Sequence, residues 1–168
     1  TTSIQNPYAQ GNGWFVDKLT YVADANAEYA GVGKIDVSHE AVADKKFEPI
    51  LGQTQTNEST ARVVLTKYEP NNMTYTVSST KGGVVVFSEV YYPGWTATID
   101  GQPAELGRVN YILRALNVKA GKHEVVLDFH PTSISTTETI AYAALIVLLL
   151  AICVAIYSEK KKQKTTKE

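Results

Sequence analysis

The sequence predicts a mainly β fold: an antiparallel β-sandwich of jelly-roll or immunoglobulin-like kind with one short N-terminal helix, followed by a single transmembrane α-helix. Three observations carry this expectation. Residues 84–131 read as consecutive strands broken by turn residues, residues 62–79 read as a hairpin, and Ile140 to Tyr157 is an unbroken apolar run. The corresponding division is an extended lead-in over 1–13, a β-sandwich domain over 14–131, a transmembrane helix over 135–158 and a basic tail over 159–168.

In chain order, Thr1 to Gly13 is polar and punctuated by Asn6-Pro7 and Gly11-Asn12-Gly13, which favours an extended tether. Trp14 to Val22 carries aromatic and β-branched residues in alternation and predicts a first strand. Asp24 is placed to cap a short helix over Ala25 to Val32, whose length Gly31 and Gly33 limit. Ala41-Val42-Ala43 marks a short strand before Phe47. Glu48 to Ala61 has low hydrophobicity and predicts an exposed loop. Arg62 to Tyr68 and Met73 to Ser79 then pair as a hairpin about Asn71-Asn72.

The central stretch begins with Val84 to Val90, β-branched enough for a strand buried on both faces. Tyr91-Tyr92-Pro93-Gly94 ends it in a corner, because proline lacks the N–H that a ladder needs. Trp95, Ala97 and Ile99 alternate with Thr96 and Thr98, and Asp100-Gly101 supplies the two positive-φ positions of a type I′ turn. Val109 to Val118 returns as a strand. Its apolar spacing also fits a helix, but Gly107 and Gly121 bound it closely and its neighbours are strands. Lys119 to Lys122 turns the chain into a last strand carrying Val125, Leu127 and Phe129.

The apolar run Ile140–Tyr157 has eighteen residues, about 27 Å of helix against a hydrocarbon core near 30 Å. Ser135 and Glu138 form a capping-box pattern that starts the helix about a turn earlier. Lysines 160, 161, 162, 164 and 167 follow it, and the positive-inside rule places such a cluster in the cytoplasm and the β-domain outside.

Charge and composition exclude several classes. Residues 1–139 carry 11 Lys/Arg against 15 Asp/Glu, leaving no basic face for a phosphate backbone, so no nucleic acid is expected as a partner. Cys153 is the one cysteine and lies in the apolar run, and His39, His123 and His130 lack ligand spacing, so no metal is expected. No paired carboxylates, nucleophile set or phosphate loop appears, which leaves no catalytic residue and no cofactor to assign.

The remaining candidates are aromatic. Tyr91, Tyr92, Trp95 and Tyr111 offer rings for stacking on sugars, with Glu89, Asn110 and Arg114 as hydrogen-bonding groups for hydroxyls or a phosphate. The competing use is structural, with corner aromatics as packing and Arg114 paired to Glu89 or Glu105, and it has the larger weight. Strand alternation puts Trp95 between the sheets with Ala97 and Ile99, whereas Tyr92 precedes a corner proline and should reach solvent.

The run Glu89-Val90-Tyr91-Tyr92-Pro93-Gly94-Trp95, then Ile99-Asp100-Gly101, Asn110-Tyr111 with Arg114-Ala115, and Ala120-Gly121-Lys122-His123 resembles the C-terminal region of the YfhO family of bacterial membrane proteins. Gly11-Asn12-Gly13-Trp14-Phe15-Val16 is similar to the approach to the same region. The resemblance implies a polytopic protein of the bacterial inner (plasma) membrane, with an architecture similar to lipid-linked sugar transferases and a β-rich region outside before a last helix. This chain would be its C-terminal fragment, as the absence of a signal peptide and of an initial methionine also suggests. The implied partners are the lipid bilayer, an upstream transmembrane domain of the same protein and a glycan or polyprenyl-phosphate sugar. Catalytic acidic residues of that architecture lie in an early exterior loop, outside this sequence, so a non-catalytic accessory role is implied. A membrane-anchored carbohydrate-binding module and a scaffold packing on membrane domains are the alternatives.

Overall fold

The computed structural model describes residues 9–54 and 58–165, with the side chains of 132–135 and 158–165 excepted. The strands are β1 (Gly13–Phe15), β2 (Lys18–Val22), β3 (Glu40–Asp44), β4 (Arg62–Glu69), β5 (Asn72–Ser79), β6 (Gly83–Val90), β7 (Trp95–Ile99), β8 (Gln102–Ala104), β9 (Gly107–Val109), β10 (Leu113–Val118) and β11 (Gly121–Phe129). The helices are α1 (Ala25–Val32), α2 (Glu48–Leu51) and α3 (Thr132–Thr165). Residues 1–130 form one compact unit and residues 131–168 another.

Two antiparallel sheets build the first unit, ordered β1-β6-β10-β9 and β4-β5-β11-β7-β8. Their inner faces share one core: Tyr75, Val77, Val125 and Leu127 from the second sheet meet Val85, Phe87, Leu116 and Val118 from the first. Because side chains alternate along a strand, Val84 and Val86 point the other way, into a second core with Val16, Ala41, Ala43, Phe47 and Leu51. That is why β6 is apolar at every position from Val84 to Phe87: each face of it meets a different layer. Fully burying each such side chain contributes about 1.5–3 kcal/mol.

The layer over the second core is a β2–α1–β3 unit whose strands pair in parallel, Lys18 against Glu40 through Val22 against Asp44. The predicted single strand over Trp14 to Val22 is therefore two strands in two sheets, separated where Val16 and Asp17 cross from one to the other. Helix α1 stands as expected, with the Asp24 carboxylate accepting from the Ala27 N–H at 2.9 Å. The expected loop from Glu48 is corrected in its first part. Glu48 to Leu51 is helical and Leu51 is fully buried, seated on Gly107, where a Cβ would lie 2.6 Å from the leucine side chain. Residues 55–57 of that loop lie outside the described residues.

The hairpin β4–β5 forms as predicted, with a bulge between Leu65 and Lys67. Asp100 and Gly101 take φ of 52° and 76°, as the turn between β7 and β8 requires. Asp100 also clamps β11, accepting from the Glu124 N–H at 2.8 Å and pairing with His123 at 2.6 Å. The segment 109–118 is not one strand but part of a further tight hairpin. β9 and β10 pair with Val109 opposite Leu113, and Asn110 and Tyr111 between them have φ of 51° and 71°.

In the second unit, α3 begins at Thr132, directly after Pro131, so Ser135 is a residue of the helix and not its cap. Its span Thr136–Tyr157 has 22 residues, none buried within the structure, and reaches about 33 Å, enough for a bilayer core.

Candidate functional site

The residues singled out from the sequence fall into two places, the corner after β6 and the β9–β10 turn, with Glu89 half-buried near the end of β6. Three of the aromatics stay together at the end of β6. There Pro93 withdraws a donor, Gly94 takes a φ of 101°, and the corner is held by the Tyr91 N–H on the Ile112 carbonyl at 2.7 Å and the His130 N–H on the Gly94 carbonyl at 2.8 Å. Tyr91 is half-buried, edge-on to Phe47 at 5.7 Å between ring centroids. Tyr92 is 61% exposed and tilts over Phe129. A surface groove of about 430 Å³ runs along this corner, lined by Tyr91, Tyr92 and Trp95 with Ile50, Glu105 and Leu106.

Trp95 corrects one expectation. It is half-buried and not enclosed between the sheets, because it opens β7 at the rim of the first core, packed on Phe129 at 5.1 Å. The Arg114 guanidinium stacks on its ring, the guanidinium carbon 3.7 Å from the indole centroid. Arg114 shares its strand face with Leu116 and Val118, is 3% exposed, and donates from Nε to the Val90 carbonyl at 2.8 Å. Burial pushes the guanidinium below its usual value, with the Glu89 carboxylate opposing the shift. Among the described residues Arg114 forms no salt bridge with Glu89 or Glu105; the arginine is held by a ring and a carbonyl.

Asn110 and Tyr111 lie elsewhere, in the β9–β10 turn. A tyrosine at φ 71° is strained, so something must hold it. Glu28 of α1 does: fully buried, its carboxylate accepts from the Tyr111 N–H at 2.9 Å and from Arg108 Nη2 at 2.6 Å. The Asn110 N–H donates to the Val42 carbonyl at 2.7 Å, and its Oδ1 accepts from the Val42 N–H at 2.9 Å. Tyr111 is 42% exposed and stacks edge-on against Tyr29. A second groove, of about 560 Å³, lies beside this turn and includes Asn110, Ile112 and Trp14.

Glu28, Arg108 and Trp14 were not singled out in the sequence. Glu28 and Arg108 are 80 residues apart, and nothing local distinguishes either from a surface charge. Trp14 stood in the sequence as a strand residue and in the run Gly11 to Val16 that carries the resemblance, not as a site residue. Among the described residues no group of three or more His, Cys, Asp or Glu is arranged to hold a metal ion.

The fold is thus a mainly β domain joined to one helix long and apolar enough to cross a membrane, the arrangement of a membrane-associated domain. The family described as bacterial membrane protein YfhO matches residues 50–141, 92 of the 168, and the chain belongs to that family. The match runs from α2 through the hairpins to the first turns of α3. No curated protein and no solved structure matches the chain.

Proposed function

We propose that residues 14–131 form a non-catalytic extracytoplasmic accessory domain of a polytopic YfhO protein, anchored by residues 135–158 and closed by a cytoplasmic basic tail over 159–168. The parent protein transfers lipid-linked sugars to cell-envelope polymers in the inner (plasma) membrane, and this domain contacts the upstream membrane domain or the glycan. The observation that carries the reading is that one continuous family match covers the β-domain from residue 50 onward and the start of the apolar helix. Five lysines after the apolar run Ile140–Tyr157 support the orientation. The corner groove is the contact surface, because Tyr92 leaves a large amphipathic ring exposed where a purely structural corner would bury it. The same exposed ring favours a membrane-anchored carbohydrate-binding module as the second reading.

The test is the activity of the parent protein carrying Tyr92→Ala, beside a glycan-binding screen of this chain. Loss of sugar transfer with normal protein levels and no glycan binding supports the accessory role. Glycan binding by this chain that Tyr92→Ala abolishes supports the module. Wild-type transfer and unchanged binding in Tyr92→Ala would exclude the corner as the contact surface.

A further inference from the structure

We propose that the β-domain meets the lipid surface itself: the end of it bearing Val90, Tyr111 and Ile112 lies in the headgroup layer of the bilayer that α3 crosses. The inference rests on α3 as a membrane anchor and goes beyond the accessory role, since it needs neither a glycan nor an upstream domain.

One end of the sandwich gathers the exposed apolar groups, and the strand registers define that end. Val90 lies opposite Leu113, Trp95 opposite Phe129, and Asn72 opposite both Glu69 and Asp128. Tyr91 to Gly94 carry the chain from the first sheet to the second, so this corner, the β9–β10 turn, the β4–β5 turn and the exit from β11 share one end. Tyr68, Val90, Tyr92, Tyr111 and Ile112 are exposed there, and Tyr29 packs on Tyr111. They are six of the eight large apolar residues exposed among the described residues of the first unit, a concentration and not the ordinary scatter of single apolar side chains. The opposite end differs in kind: its turns carry Lys81, Asp100, Lys119 and Lys122, all exposed.

The fold holds the apolar end firmly. Glu28 accepts from the Tyr111 N–H, Asn110 bonds Val42 through both its N–H and its Oδ1, and the Tyr91 N–H ties the turn to the corner through the Ile112 carbonyl. A strained turn fixed in this way, with its ring and its isoleucine left outward, suits a contact outside the domain.

The course of the chain selects the occupant. His130 donates to the Gly94 carbonyl and so belongs to this end. Five residues, 131–135, separate it from the apolar span that begins at Thr136, and with α3 helical from Thr132 they advance about 8 Å. The headgroup layer on each side of a bilayer is about 5–8 Å deep, so the connector spans about one such layer. Tyrosine rings are the side chains that favour it, with one apolar and one polar edge. The end has no cationic excess: Glu69 pairs with Lys67 at 3.0 Å and Asp128 bonds His130 at 2.7 Å. The surface that fits it is therefore a zwitterionic one.

The test uses the full chain in phosphatidylcholine nanodiscs, in a Cys153→Ser background, with one nitroxide-labelled cysteine at a time. Power-saturation EPR compares accessibility to oxygen and to a water-soluble nickel chelate. Leu148→Cys reports whether α3 lies in lipid, and Ile112→Cys and Val90→Cys report this end. The aqueous references are Lys119→Cys at the opposite end and Val64→Cys on β4, where Val64 is 52% exposed against 55% for Val90. We expect the oxygen-to-nickel ratio for Ile112→Cys and Val90→Cys to exceed both references several-fold. Tyr29→Gln with Tyr111→Asn, an asparagine being tolerated in the left-handed turn, should lower the ratio for Val90→Cys toward the references with far-UV circular dichroism unchanged; no change would overturn the proposal. A lipid-like ratio for Leu148→Cys with water-like ratios for Ile112→Cys and Val90→Cys would overturn it and leave the anchor standing, whereas a water-like ratio for Leu148→Cys would remove both. Shielding of Ile112→Cys from oxygen and nickel alike would assign the end to a protein contact, and a rise that needs added phosphatidylglycerol would assign it to charge; either result overturns the proposal.

Discussion

Replacing Glu28 by alanine should destabilise the β-domain out of proportion to the size of the change. Glu28 is fully buried and joins α1 to the β9–β10 hairpin through Arg108 and the Tyr111 N–H. Removing one member of a buried pair typically costs about 3–5 kcal/mol, because the other charge is stranded. Arg108 keeps some relief: its side chain is 17% exposed and it lies over the Phe47 and Tyr111 rings. Asp44 is also near. Its carboxyl is held below the usual range by the Lys46 N–H above all, with the Arg108 charge contributing. The low end, about 3 kcal/mol, applies to the charge, and the orphaned Tyr111 N–H adds about 1 kcal/mol. Glu28→Gln keeps an acceptor for the Tyr111 N–H and should cost about 3 kcal/mol, from the charge alone.

The assay is urea unfolding of the full chain in detergent followed by tryptophan fluorescence, since Trp14 and Trp95, the two tryptophans, both lie in the first unit. Glu28→Leu with Arg108→Met should fall within about 1 kcal/mol of wild type, as apolar replacements of buried pairs do. The reasoning is refuted if Glu28→Ala costs less than about 1 kcal/mol, or if the double variant shows the sum of the two single losses.

Gly107→Ala should destabilise by about 1–3 kcal/mol, the overpacking range, because the new methyl group meets Leu51 at 2.6 Å; unfolding midpoints of Gly107→Ala and Leu51→Ala, with the pair combined, check whether the smaller leucine replacement relieves the clash. Trp95→Ala should cost about 3 kcal/mol, the low end for a large aromatic, because the ring is half-buried and Arg114 loses its stacking partner, whereas Tyr92→Ala should cost about 1 kcal/mol; equal losses would contradict their different burial. The Asp100–His123 clamp should give a pH-dependent stability. His123 is raised above 6.5, chiefly by its hydrogen bond to Asp100, so its contribution is full below 6.5 and is lost as pH rises through the folded value. Asp100 is lowered below 3.8, chiefly by that same bond, so its contribution is present above 3.8 and is lost as pH falls through the folded value. Urea midpoints of wild type minus His123→Gln should therefore be largest between about pH 4 and 6.5, and a flat difference would remove the clamp. A protease added outside spheroplasts should digest the β-domain and spare the lysine tail; the reverse pattern would invert the proposed topology.

What the sequence made legible was mostly local. Asp100-Gly101 announces its turn because those residue types tolerate positive φ, and the apolar run of α3 announces itself by length. The β9–β10 hairpin stayed hidden because Tyr111 is not a turn residue. It holds a φ of 71° through a carboxylate on α1, 83 positions away in sequence. The burial of Leu51 was hidden for a similar reason: a low-hydrophobicity stretch contributes one core side chain, and its seat is a glycine on a distant strand. The parallel β2–β3 pair has no alternation long enough to announce its layer.

The candidate site shows the same division more sharply. Reading residue types alone groups Arg114 with the tyrosines as a ligand donor, since an arginine among aromatics serves a bound anion and a packed indole with the same atoms. Only the face of β10 on which it lies separates these uses. Leu116 and Val118 on that face point into the first core, so the guanidinium is drawn inward, over Trp95 and onto the Val90 carbonyl. Asn110 is a parallel case. Its type suggests hydrogen bonding to a ligand, but its backbone N–H and its Oδ1 both bond Val42, which ties the strained β9–β10 turn to β3. Arg114 Nη1 and Asn110 Nδ2 are each buried without a hydrogen-bond partner among the described residues, so the groups that a residue-type reading offers to a ligand are, in both residues, enclosed by the fold. Of the residues grouped with them, Tyr92 at the corner is the one whose ring the fold leaves largely in solvent.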